Sequence, residues 1–413
     1  MTGHWLDVVG IGADGPQGLG ERLRELIRSA HLVVGGRRHL AMVEGLGTGE
    51  RVAWSSPMEA TFERLVAQRG RPPAVVLASG DPLWFGVGRL LLQRFNPGEL
   101  RFHPQVSALQ LAAARMAWPL ADCSCISLHG RSLASLVRHL APHRRLLVLT
   151  ADGAAPAAIG ELLVGAGHGA AVLTVLEQLG GPNEHRASFR ADEAASRRFA
   201  DLNTLAVELD AGAAVGPALS QGLADTSFIH DGQLTKQDMR AITLAKLAPR
   251  PGERLWDIGA GAGSIAIEWL LAGRSCPDRP LTAVAVEARG ERVAMLIENA
   301  HRLGVPELEV IEGKAPDVLP DGPRPDAIFI GGGVAEPVLI DRCLERLPAS
   351  GRLVVNAVTL GGEARLLDLR RRHGGELSRI AVSHAEGLGH NLGWKAKAPI
   401  TQWVFTQPPA SAA

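Results

Sequence analysis

The sequence predicts an α/β protein made of two consecutive α/β domains, and three observations carry that prediction. Short β-rich runs such as WLDVVGIG (5–12), AVVLASG (74–80) and TAVAVEA (282–288) alternate with helical stretches along the chain, the pattern of strands joined by crossover helices. The stretch DAGAAVGPALSQGLAD (210–225) has no hydrophobic period and interrupts that alternation as a linker would. Behind it, LWDIGAGAGSIAIEW (255–269) is a glycine-rich turn between strand and helix, the opening of a second α/β unit. A length of 413 residues agrees, because domains run to roughly 100–200 residues each.

Composition narrows the class of partner. Hydrophobic residues make up 46% and charged residues 21%, and 43 Lys and Arg balance 43 Asp and Glu. A neutral chain of this kind is a soluble globular protein rather than a nucleic-acid or membrane-surface binder, so an anionic ligand must be met by local basic clusters. The N-terminal MTGHWLDVVGIG lacks the regions of a signal peptide, and no apolar run approaches the ~20 residues of a membrane span, so a cytoplasmic protein is expected. Cys123, Cys125, Cys276 and Cys343 are too few and scattered for a disulfide framework. The C-x-C at 123–125 has no second pair or nearby His, and no metal is expected.

In the first region, strands are predicted at 5–12, 30–36, 74–80, 145–151, 170–178 and 202–209, with helices at 21–30 and 85–95. The Ala- and Arg-rich ALQLAAARMAWP (108–119) reads as the junction of two lobes, each with its own parallel sheet. After the linker the order is helix 235–248, strand 253–259, helix, strand 282–288, helix 291–304, strand 308–313, strand 326–332, helix and strand 351–358. That is a doubly wound sheet, with its ligand at the carboxyl ends of the strands. LSRIAVSHAEG (377–387) and ITQWVFT (400–406) read as antiparallel edge strands. The expected division is a domain at 1–209, a linker at 210–224, a domain at 225–406 and a disordered tail at 407–413.

In the second half, Gly259, Gly261 and Gly263 let the chain turn tightly and let a ligand approach the backbone, while Ser264 is placed to cap the next helix. A dinucleotide site prefers G-x-G-x-x-G with pyrophosphate on the helix N-terminus. Here the spacing is G-x-G-x-G and Asp257 stands beside the loop, which suits a ligand with positive charge and no phosphate. S-adenosylmethionine is such a ligand, and Glu287 at the end of the next strand is placed to take its ribose hydroxyls. The alternative is a plain turn and an exposed strand-end carboxylate.

These residues, with LTKQDMRAITLAKL, EGKAPDVL (312–319), DAIFIGGG (326–333) and GRLVVNAVTL (351–360), resemble the class I methyltransferases, and among them the decarboxylating precorrin methyltransferases of cobalamin biosynthesis. The resemblance covers 225–406. It implies a class I Rossmann-like doubly wound fold, with Asp257, the three glycines and Glu287 holding S-adenosylmethionine. It also implies Lys314 and Ala315 near the adenine, and Gly331 and Gly332 near the methionine end.

In the first half, Gly80, Asp81 and Pro82 end a strand in a sharp turn, an ordinary turn sequence when taken alone. VVGIGADG, HLVVGGRRHL (31–40), PQVSALQLAAARMAWPL (104–120) and ISLHGR (126–131) accompany it in order, and together they resemble the tetrapyrrole methylases of the precorrin carbon-5 type over residues 5–209. That implies a two-lobed class III fold with S-adenosylmethionine between the lobes, held by Gly10, Gly12, Gly80, Asp81 and Pro82. One departure stands out. The family's first loop is Gly-x-Gly-Pro-Gly, whereas Gly10, Ile11, Gly12, Ala13, Asp14, Gly15 lacks the proline and places the last glycine one position late.

The paired resemblance implies one chain that methylates a precorrin at carbons 5 and 15 and decarboxylates it, with one S-adenosylmethionine per domain. The alternative is a methyltransferase on another substrate whose first domain is a binding or scaffold module. For an acid-rich tetrapyrrole, Arg37, Arg38, Arg131, His390 and Lys395 are the candidate carboxylate contacts, against a solvated surface or a basic guard on an edge strand. His129 and His384 are the candidate proton carriers. A homo-oligomer is expected.

Overall fold

A computed structural model describes residues 4–69, 71, 73–210, 218, 220–275 and 279–408. Cys276, residues 211–217 and 219 of the expected linker, and 409–413 of the expected tail lie outside the described residues. The chain divides into two compact units, Met1–Leu133 with Ala141–Ala214, and Ala134–Leu140 with Val215–Ala413.

The first unit opens with β1 (Leu6–Ile11), α1 (Glu21–Ser29), β2 (Leu32–Gly35), α2 (Arg37–Met42), β3 (Glu50–Ala53), α3 (Glu59–Ala67), β4 (Ala74–Ser79), α4 (Gly88–Leu92) and β5 (Leu100–His103). Their sheet has the order β3-β2-β4-β1-β5 and every pairing is parallel. Both faces are covered, which explains why these strands read as unbroken apolar runs. Val8, Val34 and Val76 pack on Phe62, Leu65 and Leu91, and Val9, Val33 and Val75 face Leu19, Ile27 and Val43. The helix expected over 85–95 is only the five residues of α4. Phe85 has φ +56, and a Cβ on Gly86 or Gly88 would lie 2.5 or 2.6 Å from the Pro82 carbonyl, so the chain ahead of α4 folds tightly onto that turn.

The second sheet of this unit follows α5 (Ala108–Met116) and contains β6 (Cys123–Ser127), β7 (Arg145–Leu149), β8 (Val172–Glu177), β9 (His185–Arg190) and β10 (Asn203–Glu208), with α6 (Ala155–Gly165) between β7 and β8. The order is β6-β7-β10-β8-β9. The expected parallel sheet is mixed: β6 and β7 are parallel, and every other pairing is antiparallel. The seven residues between β8 and β9 are too short for a crossover. The stretch 108–119, read as a junction, does connect the two sheets and is itself α5. It is started by a reciprocal Ser107–Gln110 cap and packs Leu109, Ala112 and Ala113 on Leu147, Leu176 and Ala206 of the second sheet.

The second unit contains α7 (Gln237–Leu247), β11 (Arg254–Ile258), α8 (Ser264–Ala272), β12 (Thr282–Glu287), α9 (Gly290–Arg302), β13 (Glu309–Glu312), β14 (Ala327–Ile330), α10 (Leu339–Arg346), β15 (Arg352–Ala357), α11 (Leu360–His373), β16 (Glu376–Ile380), β17 (Ser383–Leu388), β18 (Asn391–Ala396) and β19 (Ile400–Thr406). Its main sheet runs β13-β12-β11-β14-β15-β19-β16, the first five strands parallel and the last two pairings antiparallel. β19, read as an edge strand, lies inside the sheet, with β16 outside it, because Trp403 finds full burial there. The stretch 377–387 divides between β16 and β17, and among the described residues β17 pairs only with β18, in a separate hairpin.

Candidate functional sites

Strand order in the second unit reverses between β11 and β14, where the chain departs in opposite directions and leaves a crevice at the strand ends. A cavity of about 680 Å³ lies there, within the roughly 300–1,000 Å³ of small-molecule sites. Gly259, Gly261, Glu287, Lys314, Ala315, Gly331 and Gly332 all line it. Its floor is apolar, with Ile258, Val286 and Phe329.

The loop requires its glycines. Gly259, Gly261 and Gly263 have φ of +71, +57 and +80, a region that costs other L-residues about 1–2 kcal/mol. A Cβ on Gly259 would also lie 2.8 Å from the Gly332 amide nitrogen, so the two glycine strands approach as closely as backbone allows. Gly263 is itself the cap residue of α8, and Ser264, expected in that role, is the first helical residue.

Asp257 supplies what Gly263 lacks. Its Oδ2 accepts the Ala266 N–H at 3.0 Å, capping α8 from the neighbouring strand. The side chain is fully buried and does not line the cavity, and its Oδ1 has no hydrogen-bond partner among the described residues. Burial pushes the carboxyl up to about 7; the Ala266 bond acts in the opposite direction, and nearby Glu287 raises it further. Glu287 does reach the cavity. Its Oε2 accepts the Gly261 N–H at 2.9 Å and Oε1 the Arg289 N–H at 3.0 Å, which fixes the carboxylate while leaving lone pairs for a ligand. A fixed acceptor, an apolar floor and a backbone cradle fit the ribose, adenine and methionine parts of S-adenosylmethionine.

Part of the wall was not anticipated from sequence. Gln233, Thr235 and Lys236 line the cavity from the loop before α7, and Asn356 from the end of β15. The loop is held by Arg240, which is fully buried, donates to Glu268 at 2.5 Å and to the carbonyls of Leu223 and Thr235, and lies 4.7 Å from the Phe228 ring centre. Glu268 in turn accepts the Gly222 and Leu223 N–H groups. The polar run DGQLTK directly before an apolar helix was the available signal.

Of the remaining candidates of this unit, His384, His390 and Lys395 do not line the cavity. His384 pairs with Asp238 at 3.2 Å and is half exposed. His390 is exposed in the β17–β18 turn. Lys395 and Lys397 both bind Glu386, at 2.9 and 2.7 Å, and hold its carboxyl down at about 2; of the two lysines only Lys397 lines the cavity. Lys314 is tied to Glu336 at 2.7 Å.

In the first unit the register sets Gly10 beside Ala78 and Ile11 beside Ser79, so the Gly12 and Gly80 turns leave the sheet side by side. A Cβ on Gly10 would lie 1.8 Å from the Gly80 carbonyl oxygen, and Gly80 has φ +53. Asp81 Oδ1 accepts the Leu83 N–H at 2.9 Å, Pro82 is buried, and neither belongs to the lining of the space beside this turn. Gly12, Ala13, Arg38, Ser79 and Gly80 face Asn203 and Thr204 across a space of about 80 Å³, well under the usual ligand range. Gly10 does not reach it. The altered first loop shapes one side: a Cβ on Gly12 would meet Asp14 Oδ1 at 2.5 Å. Arg38 contacts His39 and Ser79, whereas Arg37, His129 and Arg131 are exposed and line no cavity described. Among the described residues no group of three or more His, Cys, Asp or Glu is placed to hold a metal ion.

Comparison with known proteins adds two family matches and several relatives. The tetrapyrrole (corrin/porphyrin) methylases match residues 6–195, and the precorrin methyltransferase domain matches 226–407. A precorrin-6Y C(5,15)-methyltransferase (decarboxylating) of Sinorhizobium sp is 47% identical over 409 residues, covering 98% of this chain and 97% of that one. A cobalt-precorrin-7 C(5)-methyltransferase of Salmonella typhimurium is 34% identical over 43% of this chain and 87% of its own. A probable cobalt-precorrin-6B C(15)-methyltransferase (decarboxylating) of Pyrobaculum calidifontis is 34% identical over 35% of this chain and 73% of its own.

Proposed function

Because the chain belongs to the precorrin-6Y C(5,15)-methyltransferase (decarboxylating) family, we propose that its two units are two S-adenosylmethionine-dependent C-methyltransferases working on one tetrapyrrole. The enzyme methylates precorrin-6B at carbons 5 and 15 and removes carbon dioxide from the ring C acetate, giving precorrin-8X in cobalamin biosynthesis. Residues 1–209 carry the carbon-5 reaction, and 225–406 carry the carbon-15 reaction and decarboxylation.

The observation that carries the reading is the cavity at the β11–β14 reversal, where Glu287, the glycine loop and Gly331–Gly332 converge. S-adenosylmethionine supplies an electrophilic methyl on a sulfonium. Glu287 orients the ribose, the loop backbone admits the methionine end, and Asp257 acts from beneath by fixing the start of α8. The reduced tetrapyrrole has electron-rich enamine carbons, so no enzyme nucleophile is needed, and orientation can supply roughly 7–11 kcal/mol of the barrier. In decarboxylation the conjugated ring accepts the electron pair released as carbon dioxide leaves. Gln233, Thr235, Asn356 and Lys397 offer the polar contacts for acetate and propionate arms on this side. In the first unit, Gly12, Gly80 and Arg38 serve donor and substrate, and the 80 Å³ space must widen to admit them. His129 and His384 line neither cavity, so a proton role for either requires the substrate to extend beyond the cavity walls.

Among the described residues no helix is long and apolar enough to cross a membrane. The substrate is a small molecule, and the proposed location of the enzyme is the cytoplasm. It acts as a homo-oligomer; the β17–β18 hairpin, with Leu392 76% and Trp394 80% exposed, is the surface that supports this.

The test is to incubate the full chain with precorrin-6B and S-adenosylmethionine and follow product mass. Two added methyls and one lost carbon dioxide are expected; a product lacking either change overturns the reading of the unit concerned.

A further inference from the structure

At the carboxyl ends of β2 and β4 in the first unit, three side chains converge: Arg38 and His39 of α2 and Ser79 of β4. Arg38 Nη2 lies 3.0 Å from His39 Nε2 and 3.3 Å from Ser79 Oγ. A guanidinium only donates, so both atoms must turn a lone pair toward it. Nε2 has one lone pair, which the Arg38 guanidinium and the Ser79 hydroxyl, 3.0 Å away, share as donors, and the ring proton belongs on Nδ1. Nδ1 is buried and has no hydrogen-bond partner among the described residues. The groups meeting the imidazole are the Arg38 guanidinium on its own helix and the Ser79 hydroxyl from β4, with the Gly35 backbone of β2 packed near its Cβ. Ser79 and Arg38 line the cavity; His39 stands behind them.

Methylation of a neutral enamine carbon forms a carbon–carbon bond with the ring's electron pair, and the carbon–sulfur pair departs with sulfur. The ring is left with one positive charge and becomes neutral by releasing one proton. We propose that Ser79 and His39 form the proton relay of the first unit: Ser79 Oγ takes the proton from the methylated ring while its own hydrogen passes to His39 Nε2. The proposal rests on the reading of this unit as the carbon-5 methyltransferase. Ser79 is the group that meets the substrate, and His39 accepts its proton in passing while the Arg38 hydrogen turns from Nε2 to Ser79 Oγ, 3.3 Å away. Burial, and then Arg38, push the imidazole down to about 4. It is therefore neutral and ready to accept throughout the physiological range, and solvent does not protonate it in advance.

The test uses the full chain, the single variants Ser79→Ala, His39→Gln and His39→Ala, and the double variant Ser79→Ala with His39→Gln, with precorrin-6B and S-adenosylmethionine. Carbon-5 and carbon-15 methylation are resolved by mass and NMR, so the second unit is an internal control for folding and substrate quality. Each of the three single substitutions is expected to slow carbon-5 methylation by about 10²-fold or more, the usual scale of acid–base catalysis, without changing carbon-15 methylation or S-adenosylmethionine affinity. The double variant should be no slower than the singles, because the two residues act as one unit. Added imidazole should restore part of the rate of His39→Ala. A second measurement needs no turnover: ¹⁵N NMR of the ligand-free protein should show His39 with its proton on Nδ1 and no titration above about pH 5. The relay is overturned if any single variant stays within about threefold of the wild type, if the lost rate follows lost donor affinity, or if His39 titrates near its ordinary value. Absence of carbon-5 methylation by the unmodified chain instead overturns the reading of the unit, and the ring-nitrogen measurement still decides the relay geometry.

Discussion

Asp257 carries a charge that its surroundings oppose. It caps α8, yet one of its oxygens is unpartnered and its carboxyl is raised from 3.8 to about 7. The sign of the linkage follows. Between about pH 4 and pH 7 the folded unit keeps a proton that the unfolded chain has released, so stability falls as pH rises through that window and levels off above it. Asp257→Asn keeps an acceptor for Ala266 and removes the titration. Hydrogen exchange on β11 and α8 of the variant should lose this pH slope; an unchanged slope would assign the titration to another group. The glycine at 259 gives a sharper test. Gly259→Ala incurs about 1–2 kcal/mol of left-handed strain and presses on the Gly332 backbone, so carbon-15 methylation should fall at least tenfold in a mass assay while carbon-5 methylation persists. The G-x-G-x-G spacing and Glu287 were legible as a site because their roles are local. The true place of Asp257 was not, since only the fold shows that its side chain turns under the loop toward α8.

At the scale of elements, the segment before α7 depends on one buried ion pair. Arg240→Met leaves Glu268 buried with only backbone donors, and truncation of one partner of such a pair costs about 3–5 kcal/mol. The second unit should melt earlier, and proteolysis should open near Gln233 and Thr235, which form part of the cavity wall. Arg240→Lys should rescue little, because a point charge cannot make the forked contacts. This interaction illustrates what the sequence leaves unread. Strand and helix alternation was visible because each element carries its own period, and the turn chemistry of Gly80–Pro82 and Gly259–Gly263 marked their ends. The partner chosen by a strand is not local information. So the antiparallel pairings of β8, β9 and β10, the hairpin of β17 and β18, and the interior place of β19 emerged only from packing. The shortened α4 has the same origin: a run of Leu and Arg suggested a helix from 85, and close backbone approach to Pro82 restricts it to Gly88–Leu92.

At the scale of the molecule, the two units offer unequal spaces to the same donor, about 680 and 80 Å³. A site that must open before it binds has its apparent affinity reduced by the fraction of time it is open. Calorimetry on the full chain should therefore show two classes of S-adenosylmethionine binding separated by about tenfold or more, the tighter class disappearing in Gly259→Ala. Two equal classes would show that the first site opens at no cost. The interior place of β19 has a further consequence for how the enzyme is made. Among the described residues β16 pairs with no strand of the main sheet except β19, and β15 has its outer edge covered only by it. During synthesis the parallel half of this sheet emerges first, and it waits with an open edge while α11, β16 and the hairpin follow. Ile400, which begins β19, also lines the cavity, so the ribosome must deliver this strand before the second reaction chamber acquires its last wall. The first unit, complete by β10, is by then free to have folded.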